Sequence, residues 1–253
     1  MNKKAEIIDL YKNKIKITNY RPATKEEIQV KIDTGTFSDI RDMHVKEKIG
    51  EISNSKELVT KMLKDKINVE HEINEILDKN KNYKNAKSSK TPKSILKYQK
   101  TNDNNTEKIN NDIHEHGVIL PKGQELFHGG LTGKKVGDTI KSVEVFSTSL
   151  NPYVARQNAL HNKKAFNDNE LNINCIINKD ENIKAFYFNN RTNHGNEREV
   201  LIEKDIEMKV ISKTKVGEIE VTNDEYESKI VPAYVTHLEI KKLHDDKDHN
   251  IKI

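Results

Sequence analysis

The chain has 253 residues, of which 34% are hydrophobic and 33% charged, with a formal net charge of +4. The mean hydropathy of −0.85 predicts a lean core, and the charge permits contact with nucleic acid without requiring it. The single cysteine, Cys175, excludes an intrachain disulfide and a cysteine-based zinc site. No stretch has the apolar length of a signal peptide or a membrane span, so we expect a cytoplasmic protein with no membrane partner.

The first part of the chain is predicted to be helical, over residues 4–16 and 55–77. Asn54 can cap the second helix, because Glu57 stands three residues later as in a capping box. Its apolar residues approximate one helical face: Leu58, Met62, Leu63, Ile73, Ile76 and Leu77.

Residues 79–94 contain almost nothing that can be buried and include Thr-Pro, which predicts a linker or a mobile loop. We therefore divide the chain into a helical N-terminal region at 1–89, ending in this Lys/Asn-rich linker, and a second domain at 90–253. After Pro92, two short helical pieces are predicted, joined by a polar turn at 101–105.

Beyond Pro121 the chain changes to short segments rich in aromatic and β-branched residues, which predict strands. These segments are ELFHGG, VEVFSTSL, LNINCIIN, REVLIEK, IEMKVISK and VPAYVTHLEIKK. Between them a helix is predicted in NPYVARQNALHN, with Asn151 as its cap and Pro152 in its first position. Helices followed by strands indicate an α+β fold.

Common nucleotide and metal signatures are missing from the sequence. GxGxxG, GxxxxGK[ST] and HExxH are all absent, which disfavours a Rossmann enzyme, a P-loop enzyme and a zincin. The runs HEH at 114–116 and HDDKDH at 244–249 mix metal-binding residue types, but adjacent residues cannot all face one ion. We therefore expect no bound metal.

The stretch NEREVLI at 196–202 is predicted to open a strand with two carboxylates on one face. Residues two apart in a strand point to the same side, so Glu197 and Glu199 would lie together while Arg198 points away. Such a pair suits chemistry that needs a base beside an electrostatic stabiliser. Solvated residues at a strand end are the alternative.

Two further motifs lie at strand edges, LFHGG at 126–130 and FSTS at 146–149. In chain order, the three motifs resemble the mono-ADP-ribosyltransferase family in its phage and bacterial-toxin branch, over roughly residues 90–242. That family has Arg or His followed by Gly on a first strand, Ser-Thr-Ser on a second, and Glu-x-Glu or Gln-x-Glu opening a later one. The resemblance implies N-terminal helices followed by a split, mostly antiparallel two-sheet core, with residues 90–253 as the catalytic domain.

The resemblance also implies the chemistry: cleavage of the bond between nicotinamide and ribose in NAD, and transfer of ADP-ribose to an acceptor. Glu199 would hydrogen-bond the ribose 2′-hydroxyl and stabilise an oxocarbenium-like transition state, with Ser147 holding its carboxylate. Glu197 would orient or deprotonate the acceptor, which in this family is arginine when Glu stands here. Tyr187 and Phe188 are candidates to pack on the acceptor or the nicotinamide, or else belong to the core.

The remaining NAD contacts implied by the resemblance begin with His128, where toxin relatives carrying Ser-Thr-Ser usually have Arg. His128 can hydrogen-bond a ribose hydroxyl, and Gly129 can leave room for backbone groups to hold the nicotinamide amide. Phosphate binding must then come from elsewhere, and Arg156 is the candidate. Thr148 is counted with the NAD-binding residues, the alternative being that it finishes the strand.

The acceptor is less well defined than the NAD chemistry. A target protein modified on arginine is the leading hypothesis, and RNA or DNA is the alternative, because Lys-rich residues 79–100 can attract phosphates. An NAD glycohydrolase that uses water and a non-catalytic protein that kept the fold are the other two possibilities.

Overall fold

The structure, a computed structural model, describes residues 3–38, 43–101, 105–189 and 197–243. Its helices are α1 (Lys25–Asp33), α2 (Ser55–Lys64), α3 (Glu70–Lys79), α4 (Lys81–Ala86), α5 (Lys93–Thr101), α6 (Thr106–His116), α7 (Pro152–Leu160) and α8 (Lys164–Asp168). Its strands are β1 (Ile15–Pro22), β2 (His44–Ile52), β3 (Val118–Ile119), β4 (Glu125–Gly129), β5 (Thr139–Ser142), β6 (Phe146–Ser149), β7 (Leu171–Asn178), β8 (Lys184–Tyr187), β9 (Glu199–Ile202), β10 (Ile206–Thr222) and β11 (Ser228–Lys242). Within the described ranges, no helix has both the length and the apolar character needed to cross a membrane.

Nine strands form the main sheet, in the order β3-β8-β9-β6-β4-β7-β11-β10-β5. Among the strands that the structure describes in this sheet, β7 and β11 pair in parallel and the other neighbours pair antiparallel. The two halves of this sheet meet between β4 and β6, where the pairing between described residues is limited to Phe127 opposite Ser149. The split therefore lies between β4, which carries the LFHGG motif, and β6, which carries the FSTS motif. An α+β fold with a split, mostly antiparallel core is confirmed.

Helix α7 covers the split from one side. Asn151 caps it by accepting from the Tyr153 amide at 2.9 Å, and Pro152 stands in its first turn, as the sequence predicts. The helix packs directly on β4 because Gly129 has no side chain. A Cβ at Gly129 would lie 1.8 Å from the Ala155 carbonyl oxygen.

The prediction of a helix at residues 4–16 is wrong. This segment is extended, and the Ala5 amide donates to the carbonyl of Ile119 on β3 at 3.1 Å. Four of its apolar residues are buried in the main core: Ala5, Ile8, Leu10 and Ile15. It continues into β1, which pairs with β2 in a separate two-stranded sheet. The unpaired side of β3 supplies a backbone partner to Ala5, and the side chain of Gln124 pairs with the backbone of Ile8, where a helix would have supplied partners internally.

The helix predicted at residues 55–77 is two helices. Asn54 accepts from the Glu57 amide at 2.9 Å and so begins α2 as expected, but the helix ends at Lys64. Lys66 then has a φ of 54°, which breaks the helical path before α3.

Residues 79–94 are not a linker. They contain α4, whose Tyr83 is 0% exposed and whose Ala86 is 3% exposed. The Ser88 amide donates to the Tyr187 carbonyl at 3.1 Å and ties the segment to the sheet. One aromatic ring and one alanine on the same side anchor a helix whose other residues are Lys and Asn. Helices α5 and α6 correspond to the two predicted helical pieces.

A single main core extends across the boundary proposed at residue 89. It includes Leu58 and Val59 of α2 together with Leu238 and Ile240 of β11. A second, smaller core lies under α5 and α6, and it consists of Ile95, Ile109, Ile113, Phe186, Phe188 and Leu201. The N-terminal region therefore packs on the sheet, and α5 and α6 pack on a separate, smaller hydrophobic core.

Candidate active site

A cleft of about 550 Å³ lies at the split in the sheet. It brings together five of the residues that the motifs single out: His128, Gly129, Ser147, Glu197 and Glu199. The other lining residues come from α5, from α7 and from the turn that follows α7: Tyr98, Gln99, Gln157, Asn158, His161, Asn162 and Lys164. Its volume falls in the range of small-molecule sites.

Glu199 is the most tightly held side chain in the cleft. It begins β9, is 8% exposed, and accepts a hydrogen bond from Ser147 Oγ to its Oε1 at 2.6 Å. Gln99 Nε2 donates to its other oxygen, Oε2, at 3.0 Å. Both donors are neutral, so they orient the carboxylate without cancelling its charge. The sequence does not predict a role for Gln99, because nothing distinguishes it from the other residues of an amphipathic helix.

Glu197 shares the cleft with Glu199, but not through strand alternation as predicted. It precedes β9, and Arg198 between the two glutamates has a φ of 53°. The backbone of Glu197 is held by Ser149, whose Oγ donates to the Glu197 carbonyl at 2.6 Å. The Ser-Thr-Ser segment thus fixes one glutamate by its side chain and the other by its main chain.

Arg198 points away from the cleft, as predicted, into the N-terminal region. It is 6% exposed, and its two terminal nitrogens donate to Asp78 of α3 at 2.9 and 3.0 Å. Its Nε donates to Asn74 at 3.2 Å. The turn that carries both glutamates is therefore anchored by α3, a role for which the sequence of α3 gives no signal.

His128 stands on β4 with its Nδ1 2.9 Å from the carbonyl oxygen of Ser147. Burial lowers the pKa of His128 to about 4, so the ring is neutral at neutral pH. Because a carbonyl only accepts, the proton must lie on Nδ1, which leaves Nε2 as a hydrogen-bond acceptor. Phe146 packs on the ring, with centroids 4.6 Å apart. A neutral acceptor suits a hydroxyl group and does not suit a phosphate.

The turn after His128 is fixed by a buried asparagine on β7. Asn174 is 0% exposed, and its Nδ2 donates to the His128 carbonyl at 3.1 Å and to the Gly130 carbonyl at 2.6 Å. Gly130 itself has a φ of 118°, which only glycine adopts readily. The signal for this role is present in LNINCIIN, since asparagines repeat within an otherwise apolar strand.

Arg156, the candidate phosphate ligand, does not line the cleft. Its Nε is buried and has no hydrogen-bond partner among the described residues. Among the described residues, the basic side chains that face the cleft are Lys164, at the start of α8, and His161. Both residues follow the C-terminus of α7, at the opposite end from its capping residue Asn151.

Three other predicted contacts lie away from the cleft. Thr148 is 4% exposed and donates to the Val200 carbonyl at 2.7 Å, so it joins β6 to β9. Tyr187 and Phe188 are each 1% exposed and belong to the two cores. Their alternative assignment as core aromatics fits the structure, because β8 is buried on both faces. Residues 190–196, which follow Phe188 in the sequence, lie outside the described residues.

The HEH run does contribute to a group of potential metal ligands. Asp112, Glu115 and His116 of α6 present ligand atoms within 4.8 Å of one another, on a surface away from the cleft. His114 instead contacts Glu203, with 2.7 Å between His114 Nε2 and a carboxylate oxygen. The HDDKDH run lies outside the described residues.

No family model and no curated protein matches the chain. Among solved structures, the enzymatic component C2-I of the C2 toxin from Clostridium botulinum is 13% identical over 60% of this chain, with a TM-score of 0.37. This chain spans only 39% of C2-I. Exoenzyme S from Pseudomonas aeruginosa, solved with human 14-3-3 protein beta and carba-NAD, is 14% identical over 78% of this chain and 72% of its own, with a TM-score of 0.33. Vis, an ADP-ribosyltransferase from Vibrio splendidus, is 15% identical over 60% of this chain and 68% of its own, with a TM-score of 0.32. Likeness this distant carries no weight for activity, so the geometry of the cleft has to support any functional conclusion.

Proposed function

We propose that the protein is an NAD-dependent mono-ADP-ribosyltransferase. The observation that carries the proposal is the hydrogen bond from Ser147 to Glu199, made in the same cleft that holds Glu197 and the acceptor face of His128. A fixed carboxylate, a second carboxylate and a neutral acceptor are the groups that this reaction needs around one ribose.

In the proposed reaction the bond between C1′ of the ribose and the nicotinamide nitrogen breaks, and its electron pair leaves with the nicotinamide. Positive charge develops on the ribose, and Glu199 stabilises it because its carboxylate is already oriented by Ser147. His128 Nε2 accepts a hydrogen bond from a ribose hydroxyl. Lys164 provides positive charge for the phosphates, a role for which Arg156 lacks access to the cleft.

The acceptor then attacks C1′ and loses a proton. Glu197 supports an arginine acceptor on a target protein, because a carboxylate facing the cleft can pair with a guanidinium and remove its proton. Two neighbouring carboxylates would also favour a cation over a neutral acceptor.

A nucleic-acid acceptor is the second candidate, and a specific feature of the surface favours it. No acidic residue occurs between Lys79 and Thr101. This segment includes the cleft residues Tyr98 and Gln99. Exposed lysines in this segment have no ionic partner among the described residues: Lys81, Lys84 and Lys90. If transfer to nucleic acid weakens as the salt concentration rises, this surface is indicated as the site that binds the acceptor.

The test is transfer of label from adenylate-labelled NAD into protein and RNA fractions of a cell lysate. We expect label in protein with the wild type and none with Glu199→Ala, while Glu197→Ala still cleaves NAD but transfers poorly. Glu181→Ala, an exposed glutamate, is the matched control and should behave as the wild type.

The other outcomes separate the alternatives. Label in RNA assigns a nucleic-acid acceptor, and NAD consumption without label assigns a glycohydrolase. If NAD stays intact with the wild type, the transferase proposal fails and a non-catalytic binding protein takes its place.

A further inference from the structure

Gln99 contacts Glu199 from a part of the chain 100 residues away. Its Nε2 donates to Oε2 of Glu199 at 3.0 Å, while Ser147 donates to Oε1 at 2.6 Å. Each carboxylate oxygen therefore has its own donor, and rotation of the carboxylate about its last bond would lose both.

The helix that carries Gln99 is held at a fixed distance from the strand that carries Glu199. Ile95 of α5 and Leu201 of β9 belong to the same small core, and Leu201 lies two residues after Glu199. Phe186 and Phe188 pack edge to face in this core, with ring centroids 5.1 Å apart and an interplanar angle of 80°. Its side chains are 0 or 1% exposed, so α5 is a rigid support for Gln99.

The chemical type of Gln99 also suits this position. Its amide donates a hydrogen bond and carries no charge, whereas a lysine here would offset the negative charge that the proposed reaction requires of Glu199. A carboxylate here would repel Glu199. Gln99 also lines the cleft, so it reaches Glu199 from the side on which a ligand would lie.

We infer that Gln99 is a positioning residue that holds the carboxylate of Glu199 in its reactive orientation. The inference rests on the proposed function. It adds α5 to β6 and β9, the strands that carry Ser147 and Glu199. It also gives a reason why α5 and α6 pack on a small hydrophobic core that is separate from the main core.

The experiment is steady-state cleavage of NAD by the purified wild type and by Gln99→Ala, Gln99→Glu and Lys108→Ala. Lys108 is exposed on α6, so its variant controls for general effects on the α5–α6 unit. For Gln99→Ala we expect kcat to fall about tenfold with KM changed less than about twofold, because the lost contact orients a group that acts in the transition state. Lys108→Ala should match the wild type.

Gln99→Glu provides a readout that a merely structural role would not affect. At alkaline pH two carboxylates repel each other, and at acid pH a shared proton can restore a hydrogen bond between them. The ratio of its kcat to that of the wild type should therefore rise as the pH falls from about 8 to about 5.

The results that would overturn the inference are distinct from those that would overturn the proposed function. If the wild type cleaves NAD and Gln99→Ala retains its kcat, or if the Gln99→Glu ratio is flat with pH, Gln99 does not position Glu199. An equal loss in Lys108→Ala has the same meaning. If the wild type does not cleave NAD at all, the proposed function fails and the inference fails with it.

Discussion

Arg198 is joined to Asp78 by two hydrogen bonds of 2.9 and 3.0 Å, although 120 residues separate them in the sequence. The arginine is buried, whereas the side chain of Asp78 is 52% exposed. Arg198 lies between Glu197 and Glu199, so this pair connects α3 to the turn that carries both carboxylates. The N-terminal region thus supports the cleft directly.

Replacing Asp78 should weaken both the fold and the activity. Asp78→Ala leaves a buried guanidinium with Asn74 as its remaining partner on α3. Because Asp78 is half exposed and solvent screens the pair, we expect the free energy of unfolding to fall by about 1–2 kcal/mol. Urea unfolding measures this loss, with Asp65→Ala, an exposed residue after α2, as the control. Unchanged stability and unchanged NAD cleavage would show that α3 does not support the turn.

Removing the hydroxyl of Ser147 should lower turnover without unfolding the protein. Ser147→Ala deletes the 2.6 Å hydrogen bond to Glu199 and leaves the backbone pairing of β6 with β9 in place. We expect kcat for NAD cleavage to fall by about 10- to 100-fold, in line with the loss of one oriented catalytic contact. Ser142→Ala removes a surface hydroxyl that bonds to the Glu144 carbonyl and is the control. Equal kcat values for the two variants would contradict the role given to Ser147.

The half-buried ring of His128 should make the protein less stable in acid. Its pKa is about 4 in the fold and about 6.5 when unfolded, so the unfolded chain binds more protons between these values. Stability is therefore complete above about pH 6.5 and falls as the pH drops toward 4, by up to about 1.4 kcal/mol per unit from this group.

The measurement is urea unfolding of the wild type and of His128→Gln at pH 4.5, 5.5 and 6.5. The wild type should lose stability more steeply with falling pH than the variant, which has no titrating group at this position. Parallel curves would mean that His128 is not held neutral by burial.

The sequence predicted the parts of the site that are local. The strands after Pro121, the cap at Asn151 and the first two motifs depend on neighbouring residues, and they are in the structure. In the third motif, a turn at Arg198 replaces the strand alternation that was predicted for Glu197 and Glu199. Gln99 depends on a distant partner, Glu199, which no local pattern specifies. The repeated asparagines of β7 draw attention to Asn174 but do not identify its partner, the His128 carbonyl. The wrong predictions for the N-terminal region have the same cause. Whether a short apolar segment is extended or helical depends on the surface that is available to pair with it, and distant parts of the chain provide that surface.

The placement of Tyr187 and Phe188 shows a second limit. Aromatic residues next to a polar loop suggest recognition of a ligand, yet both rings are buried. The chain has only 6% aromatic residues, and the rings of Tyr187 and Phe188 are among the largest side chains that fill its lean core. Composition therefore favoured the core assignment, which the motif argument left open.

Gly129 offers the sharpest test of the geometry at the split. A Cβ at this position would lie 1.8 Å from the Ala155 carbonyl oxygen and 2.6 Å from the Ala159 nitrogen, both of which are backbone atoms of α7. Backbone cannot rotate aside as a side chain can, so Gly129→Ala must push α7 off β4. We expect a loss of at least about 3 kcal/mol in the free energy of unfolding, together with loss of NAD cleavage. Gly217→Ala is the matched control, because a Cβ there meets nothing within 4 Å, and it should leave stability and activity unchanged. If thermal unfolding shows the two alanine variants to be equally stable, α7 does not rest on β4 as closely as the structure has it, and the cleft between them has a different shape.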